Sequence, residues 1–467
     1  MELANKHFLV LGLGESGLAM ARWLDMQGAQ VTVADSRAEP PGLATLRAEL
    51  PDIPVVTGPF PAEGQTQTVP DFSWVIARGS ADAIALSPGL SPNLPELVAS
   101  GLPVFSEVDF FAAALAELQP DAITIAITGT NGKTTTTALT AHLLNRAGIS
   151  AVACGNISPS LLDALMAALA CGNFPKVWVA ELSSFQLEST QRLPLDAATV
   201  LNVNEDHLDR YPEGIAAYAN AKARIFRESR MRVVNRDDDW SLSMGGLGTG
   251  MTTFGLDSAP RAGHYGYDEG ALWLGKERLV AARDLPLQGT HNIANIMAAL
   301  ALCRAVGVPA ERALPGLASF RGLPHRVEPV AEIDGILYVD DSKGTNVGAT
   351  LAALRGMGRP VALLLGGDGK GQDFTPLKAA LTRHGRAVAL IGKDGPTIGQ
   401  VIAGCGLPVE SFPNLEDAVA WLAGKAQRGD CVLLSPACAS WDMFADYSQR
   451  AAAFVRTVAA IQTGGAA

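Results

Sequence analysis

Apolar runs alternate with longer Ala/Leu-rich segments of helical period from one end of this chain to the other. The runs include FLVLG, QVTVAD, AITIAIT, KVWVAEL, ATVLNV, ILYVDD, VALLLGG, AVALIG and CVLLSP. Continuous Val/Ile/Leu stretches ending in Gly, Asp or Ser suit strands covered on both faces, so the pattern predicts parallel α/β sheets. With 467 residues, the chain has room for two or three domains, each with its own core. Three are expected. Residues 1–111 open with a strand, a Gly-rich turn and a helix; 112–322 carry a short Gly-Lys-Thr loop; 323–467 follow the Gly322-Leu323-Pro324 turn and are again α/β. Within the middle block, about Arg232 to Leu287 reads as less regular, rich in Gly and charge.

A net charge of -11 argues against nucleic acid or an anionic membrane as main partner, because no basic face balances it. No apolar run reaches the ~20 residues of a membrane span. The start, MELANKHFLVLG, carries an acid and runs straight into a strand, unlike a signal peptide. Six cysteines lie scattered without C-x-x-C pairs, which favours reduced, buried thiols. A cytoplasmic protein without membrane insertion, and a monomer, is expected.

The stretch Ile127 to Thr137, ITGTNGKTTTT, places a Gly-rich loop between a buried strand and a helix start. Unpaired backbone N–H groups and the positive end of the helix dipole then meet at one point. Gly129 and Gly132 permit the positive φ that turns those N–H groups inward. Lys133 could reach β/γ-phosphate oxygens, and the Thr134 hydroxyl could ligate Mg²⁺. The bland alternative is a Gly-Asn-Gly turn before a capped helix. Downstream, Glu181 ends the strand Val177 to Ala180, where a second Mg²⁺ ligand would lie, although a solvated loop acid reads the same. In NVNEDHLDRYPEGIAAYANAKARIF, Ile215, Tyr218, Ile225 and Phe226 form an apolar stripe that also carries Lys222. That lysine is either a snorkelling side chain or a buried amine with a task. His207 is a metal ligand or a turn residue; periodicity leaves both open.

Gly12-Leu13-Gly14-Glu15-Ser16-Gly17 is a full G-x-G-x-x-G between a strand and a helix, with Asp35 ending the next strand. Alone it reads as a dinucleotide fingerprint, which makes an NAD-dependent oxidoreductase the rival from another class. The downstream Gly-Lys-Thr loop and the cation of Asp35-Ser36-Arg37 count against NAD.

Taken in order, these pieces resemble the Mur ligase family, ATP-dependent amino-acid ligases of cell-wall precursor synthesis. The family's short loop G-T-N-G-K-[ST]-T is matched by Gly129, Thr130, Asn131, Gly132, Lys133, Thr134 and Thr135. GLGESG, LSPG, ELSSFQLE, NVNEDHLDRY, GLPHR, DDSKGTN, LLLGGDGK and LLSPACASWDMF are similar to motifs of the branch that adds D-glutamate. The resemblance implies three α/β domains: a Rossmann-like N-terminal domain, a central mononucleotide-binding domain and a Rossmann-like C-terminal domain. It implies ATP on the loop and on Asn292, Asn295, Arg326, Asp341 and Lys343. Two Mg²⁺ ions would be held by Thr134 and Glu181, and by His207 with a carbamylated Lys222. UDP-N-acetylmuramoyl-L-alanine would bind through Ser16, Gly17, Asp35, Arg37 and Ser87, and Asn156 and His207 would also contact substrate. D-Glutamate would meet Thr345, Lys370, Ser440 and Tyr447. Lys133, Lys222 and His207 would carry the chemistry. The chain departs from the family at Ser158, Gly344 and Tyr447, where Gly, Ala and Phe are usual. Turns near Phe111 and Gly322 are expected hinges.

Overall fold

A computed structural model describes residues 1–58, 72–78, 80–246, 250–287 and 289–464. Each apolar run named above overlaps a strand with a parallel neighbour. The first sheet contains β1 (His7–Leu11), β2 (Gln30–Asp35), β3 (Val55–Thr57), β4 (Ala83–Leu86) and β5 (Val104–Phe105), all parallel, in order β3-β2-β1-β4-β5. The second contains β6 (Ile123–Thr128), β7 (Ala151–Gly155), β8 (Val177–Glu181), β9 (Leu195–Val200), β10 (Ser229–Asn235) and β11 (Met251–Phe254). Its order is β11-β10-β9-β6-β8-β7, again all parallel.

The stretch expected to be irregular holds a separate antiparallel sheet of β12 (Tyr265–Asp268), β13 (Ala271–Leu274) and β14 (Glu277–Ala281). Its strands are too short to stand out as apolar runs in the sequence. The last sheet contains β15 (Glu328–Ile333), β16 (Ile336–Asp340), β17 (Val361–Gly366), β18 (Gly385–Ile391), β19 (Val409–Ser411) and β20 (Cys431–Leu434). Its order is β15-β16-β20-β17-β18-β19, with only the edge pair β15–β16 antiparallel. Among the described residues no single helix is long and apolar enough to cross a membrane.

The sheets do not pack alike. One continuous core joins the first sheet to one face of the second, running from Phe8 and Val10 through Phe110 and Phe111 to Trp178 and Tyr218. The C-terminal cores contain only residues beyond Val327. This corrects one expectation. Phe111 is not in a turn but inside the helix Glu107–Leu118, started by a capping box between Ser106 and Asp109. Its ring is buried and meets Trp178 edge-on at 5.4 Å. A hinge there would open an apolar core, whereas Gly322 (φ +80) lies where the central core ends, at Phe320 and Leu323, and among the described residues the C-terminal cores begin only at Val327.

Candidate active site

Parallel strands present their C-terminal ends, and the loops that follow, on one side of a sheet. In the second sheet β6 is central, and the loop Gly129–Gly132 leads from it into the helix Lys133–Arg146. Gly132 has φ +82, a backbone conformation that favours glycine, and a Cβ there would also push the Asn295 side-chain amide aside. The loop is pinned from β9: Thr130 N donates to Asn202 O (2.8 Å) and Asn131 N to Asn202 Oδ1 (2.9 Å). Ile127 pairs with Glu181 in register, which sets that acid at the end of β8 beside the loop.

Charges gather here without balancing in the ordinary way. Lys133 Nζ donates to Gly129 O and Thr130 O, both at 2.9 Å. Lys222 Nζ donates to the same Gly129 O at 2.9 Å and lies 4.3 Å from the centre of the Tyr218 ring. Lys222 is 1% exposed, on the helix Ile215–Ala223, with Tyr218, Ile225 and Phe226 buried around that stripe. Burial pushes its ammonium well below the ordinary lysine value, and Lys133 pushes it further; burial also lowers Lys133. Both shifts favour the neutral amine over the ammonium.

Glu181 is 1% exposed; Asn156 Nδ2 donates to its Oε1 at 2.9 Å, and its Oε2 has no hydrogen-bond partner. A buried carboxylate oxygen left unanswered costs stability, which a cation beside it would offset. The residues fit a metal ion in this respect: Glu181, the buried Lys222, the half-buried Lys133 and His207 gather at one loop. Burial lowers the His207 value, with Lys370, Lys133 and Lys222 adding to the effect against Asp206. The lowered value favours the neutral imidazole, the form that can ligate a metal. The Thr134 hydroxyl accepts from Arg326 Nη2 at 2.6 Å, so the C-terminal domain reaches the first turn of the loop helix.

A cavity of about 410 Å³ opens between the central and C-terminal domains. Of the residues that the sequence pointed to for nucleotide, its lining includes Asn131, Gly132, Thr135, Asn292, Asn295, Arg326, Asp341 and Lys343. Burial raises Asp341 to about 7, against the bond from Ser435 Oγ (2.7 Å), and lowers Lys343 to about 8. Lys343 Nζ lies 3.8 Å from the centre of the Tyr447 ring, so Tyr447 touches one of the residues expected at the nucleotide. Thr345, Lys370 and Ser440 follow β16, β17 and β20, which adjoin in the sheet.

The N-terminal turn is built differently. A Cβ on Gly17 would lie 1.9 Å from Gly12 O, so the helix Glu15–Met26 can approach β1 only with glycine there. Asp35 is saturated. Oδ2 accepts from Leu13 N (2.7 Å) and Arg37 Nη2 (2.6 Å), and Oδ1 from Arg37 N (2.8 Å) and Arg37 Nε (2.9 Å). A ribose diol would have to displace the guanidinium, which weakens the dinucleotide reading. Ser87 packs against Gly12. Ser158 Oγ donates to Glu15 Oε1 at 2.6 Å, and the intervening Asn156 touches Glu181, so one short loop links the N-terminal turn to the central site.

Sequence reasoning passed over several residues in this space. Asn346 and Asn131 exchange two side-chain bonds (3.0 and 3.2 Å), and Asp206 receives Lys370 at 2.9 Å. His291 lines the cavity, with Nδ1 unpartnered and its value lowered by burial to about 4. Asp206 adjoins His207 in NEDHLD and Asn346 ends DDSKGTN, but nothing in a single sequence says which polar residue of such a run faces another domain.

Three family models match the chain. Residues 6–104 match the Mur ligase MurD-like N-terminal domain, 127–303 the Mur ligase middle domain, and 325–438 the Mur ligase glutamate ligase domain. A protein of Dechloromonas aromatica named UDP-N-acetylmuramoylalanine–D-glutamate ligase is 58% identical, over 99% of this chain and 100% of its own. One of the same name from Aromatoleum aromaticum is 52% identical, over 97% of each. Among solved structures, the UDP-N-acetylmuramate-alanine ligase of Thermotoga maritima superposes with a TM-score of 0.60 at 20% identity, over 97% of this chain and 99% of that one. The last likeness concerns the fold alone.

Proposed function

The chain belongs to the Mur ligase family, and from that premise we propose that it joins D-glutamate to UDP-N-acetylmuramoyl-L-alanine at the expense of ATP. The family is one of ATP- and Mg²⁺-dependent amide-bond-forming ligases of peptidoglycan synthesis. The choice of D-glutamate is supported by the shared name of relatives 46–58% identical to this chain. The observation that carries the reading is the unanswered Oε2 of Glu181 beside a buried and a half-buried lysine, Lys222 and Lys133, that share one loop carbonyl.

A carboxylate does not acylate an amine at neutral pH until its oxygen becomes a leaving group. ATP supplies the phosphoryl group that converts the alanyl carboxylate into an acyl phosphate, which the glutamate amine then attacks with loss of phosphate. Lys133 and the N–H groups of the Gly129–Thr135 turn hold the phosphates, with Asn292, Asn295, Arg326, Asp341 and Lys343 around the rest of the nucleotide. Thr134 and Glu181 are the residues for one Mg²⁺, and His207 with carbamylated Lys222 for a second. These ions would neutralise the oxygens that must approach one another. Ser16, Gly17, Asp35, Arg37, Ser87 and Asn156 orient the nucleotide-sugar, and Thr345, Lys370, Ser440 and Tyr447 the amino acid. We take 1–111, 112–322 and 323–467 as the working divisions for these three ligands, in a cytoplasmic monomer.

The deciding experiment is a product assay with ATP, Mg²⁺, UDP-N-acetylmuramoyl-L-alanine and a panel of amino acids. ADP release with a D-glutamyl product is expected. A product formed only with L-glutamate or another amino acid defeats the specificity, and intact ATP defeats the whole reading.

A further inference from the structure

Where the central and C-terminal domains meet stands an acid that none of the roles above employs. Asp206 follows β9, is 6% exposed, and reaches across the junction to Lys370, with Oδ1 2.9 Å from Nζ. Its Oδ2 accepts from Asn346 Nδ2 at 3.3 Å and lies 3.7 Å from His207 Nε2.

The C-terminal loops opposite are fastened to one another. Lys370 has a left-handed backbone (φ +52), and its N–H donates to Asp368 Oδ1 at 3.0 Å. Asp368 exchanges backbone bonds with Ala439 (2.9 and 2.8 Å), which precedes Ser440. Ala437 N donates to Gly344 O at 3.0 Å, immediately before Thr345. Thr345, Lys370 and Ser440 therefore form one prepared group. The other acids of these loops are engaged: Asp368 Oδ2 holds Lys393 (3.1 Å), and Asp394 Oδ2 holds Gly369 N (2.7 Å).

An amino acid with a second carboxylate also brings an ammonium. Lys370, Thr345 and Ser440 supply one cation and two neutral hydroxyls, which answer carboxylates; none carries a negative charge to pair with the ammonium. We propose that Asp206 binds the ammonium of the incoming amino acid, and that its ion pair with Lys370 is the substrate-free form of that recognition. On entry the amino acid inserts between the two, one carboxylate on Lys370 and its ammonium on Asp206, so each member of the buried pair keeps an opposite charge beside it, and the second carboxylate is left to the hydroxyls of Thr345 and Ser440. A buried ion pair has little net stability to lose in such an exchange. The inference rests on the ligase reading of this site.

A plain interdomain clasp would use the same two residues, and glutarate separates the cases, because it keeps both carboxylates and lacks the ammonium. Binding of D-glutamate and of glutarate is measured calorimetrically on the full chain with a non-hydrolysable ATP analogue and UDP-N-acetylmuramoyl-L-alanine present. The wild type should bind D-glutamate about tenfold tighter than glutarate or more. Asp206→Asn should weaken D-glutamate on the order of tenfold to a hundredfold and leave glutarate within about threefold. Equal weakening of both ligands means a clasp only and overturns the proposal. If the variant does not fold, the wild type decides: equal affinity for D-glutamate and glutarate overturns it. A wild type that makes no D-glutamyl product sinks the functional reading instead, so the two failures are told apart.

Discussion

Two glycine-rich turns, each between a parallel strand and a helix, stand in this chain, and their backbones do similar work. At the N-terminal turn the acid that follows, Asp35, is met by four donors, three of them from Arg37. At the central turn the neighbouring acid, Glu181, keeps one buried oxygen without a partner, while Lys133 and Lys222 both lean on Gly129 O. The first turn is electrostatically complete before any ligand arrives; the second is not. A glycine pattern reports only that backbone N–H groups can face an anion. The state of the charges around it reports whether chemistry, or binding alone, is arranged there.

The sharpest way to break that contrast is Lys222→Ala. If the buried amine is the precursor of a metal-holding carbamate, ligation should fall on the order of a thousandfold. Small carboxylates added in solution should restore part of it, by replacing the missing anion. Full activity without additives removes Lys222 from the chemistry. Glu181→Gln comes next. At limiting Mg²⁺, activity should fall roughly 10- to 100-fold. The metal-free protein, melted in chelator, should keep its stability or gain about 1 kcal/mol, since a buried, half-answered charge is gone. Marked destabilisation without metal would mean that Glu181 is structural.

The parts of this arrangement that could be read from sequence are those encoded in local periodicity. Alternating apolar runs located the parallel sheets, and helical spacing put Lys222 on the face that the structure buries. Contacts between domains were not legible. Arg326 on Thr134, Asn346 on Asn131 and Lys370 on Asp206 join residues more than a hundred positions apart, and their formation depends on how separate cores dock. Phe111 misled because it lies between two sheets in the sequence; its ring belongs to a core shared by both. The β12–β14 sheet was missed because its strands are short and flanked by glycines.

Arg37→Ala probes the completed turn, with a smaller effect. Arg37 and the backbone N–H groups hold Asp35 below its ordinary value against the cost of burial. An acid depressed in the folded state contributes stability above its unfolded value of 3.8, lost as pH falls through the folded value. Wild type and variant should therefore differ at neutral pH and converge in acid. Because the Arg37 side chain is 53% exposed, the difference should be about 1 kcal/mol or less. The Michaelis constant for the nucleotide-sugar should rise about tenfold, that for ATP little. Equal rises in both constants would dissolve the distinction between the turns.

The smallest effect is expected at the link between them. Ser158 holds φ +61, a left-handed conformation that costs a non-glycine residue about 1 kcal/mol, while its hydroxyl bonds Glu15 of the N-terminal turn. Ser158→Gly removes the strain and the bond together, and an exposed bond of this kind is worth about the same. Thermal stability should then move by less than about 1 kcal/mol. Ser158→Ala keeps the strain, loses the bond, and should melt lower than Ser158→Gly. If the two substitutions melt alike, the backbone at Ser158 is relaxed, and the loop between the turns connects them by the hydroxyl contact alone.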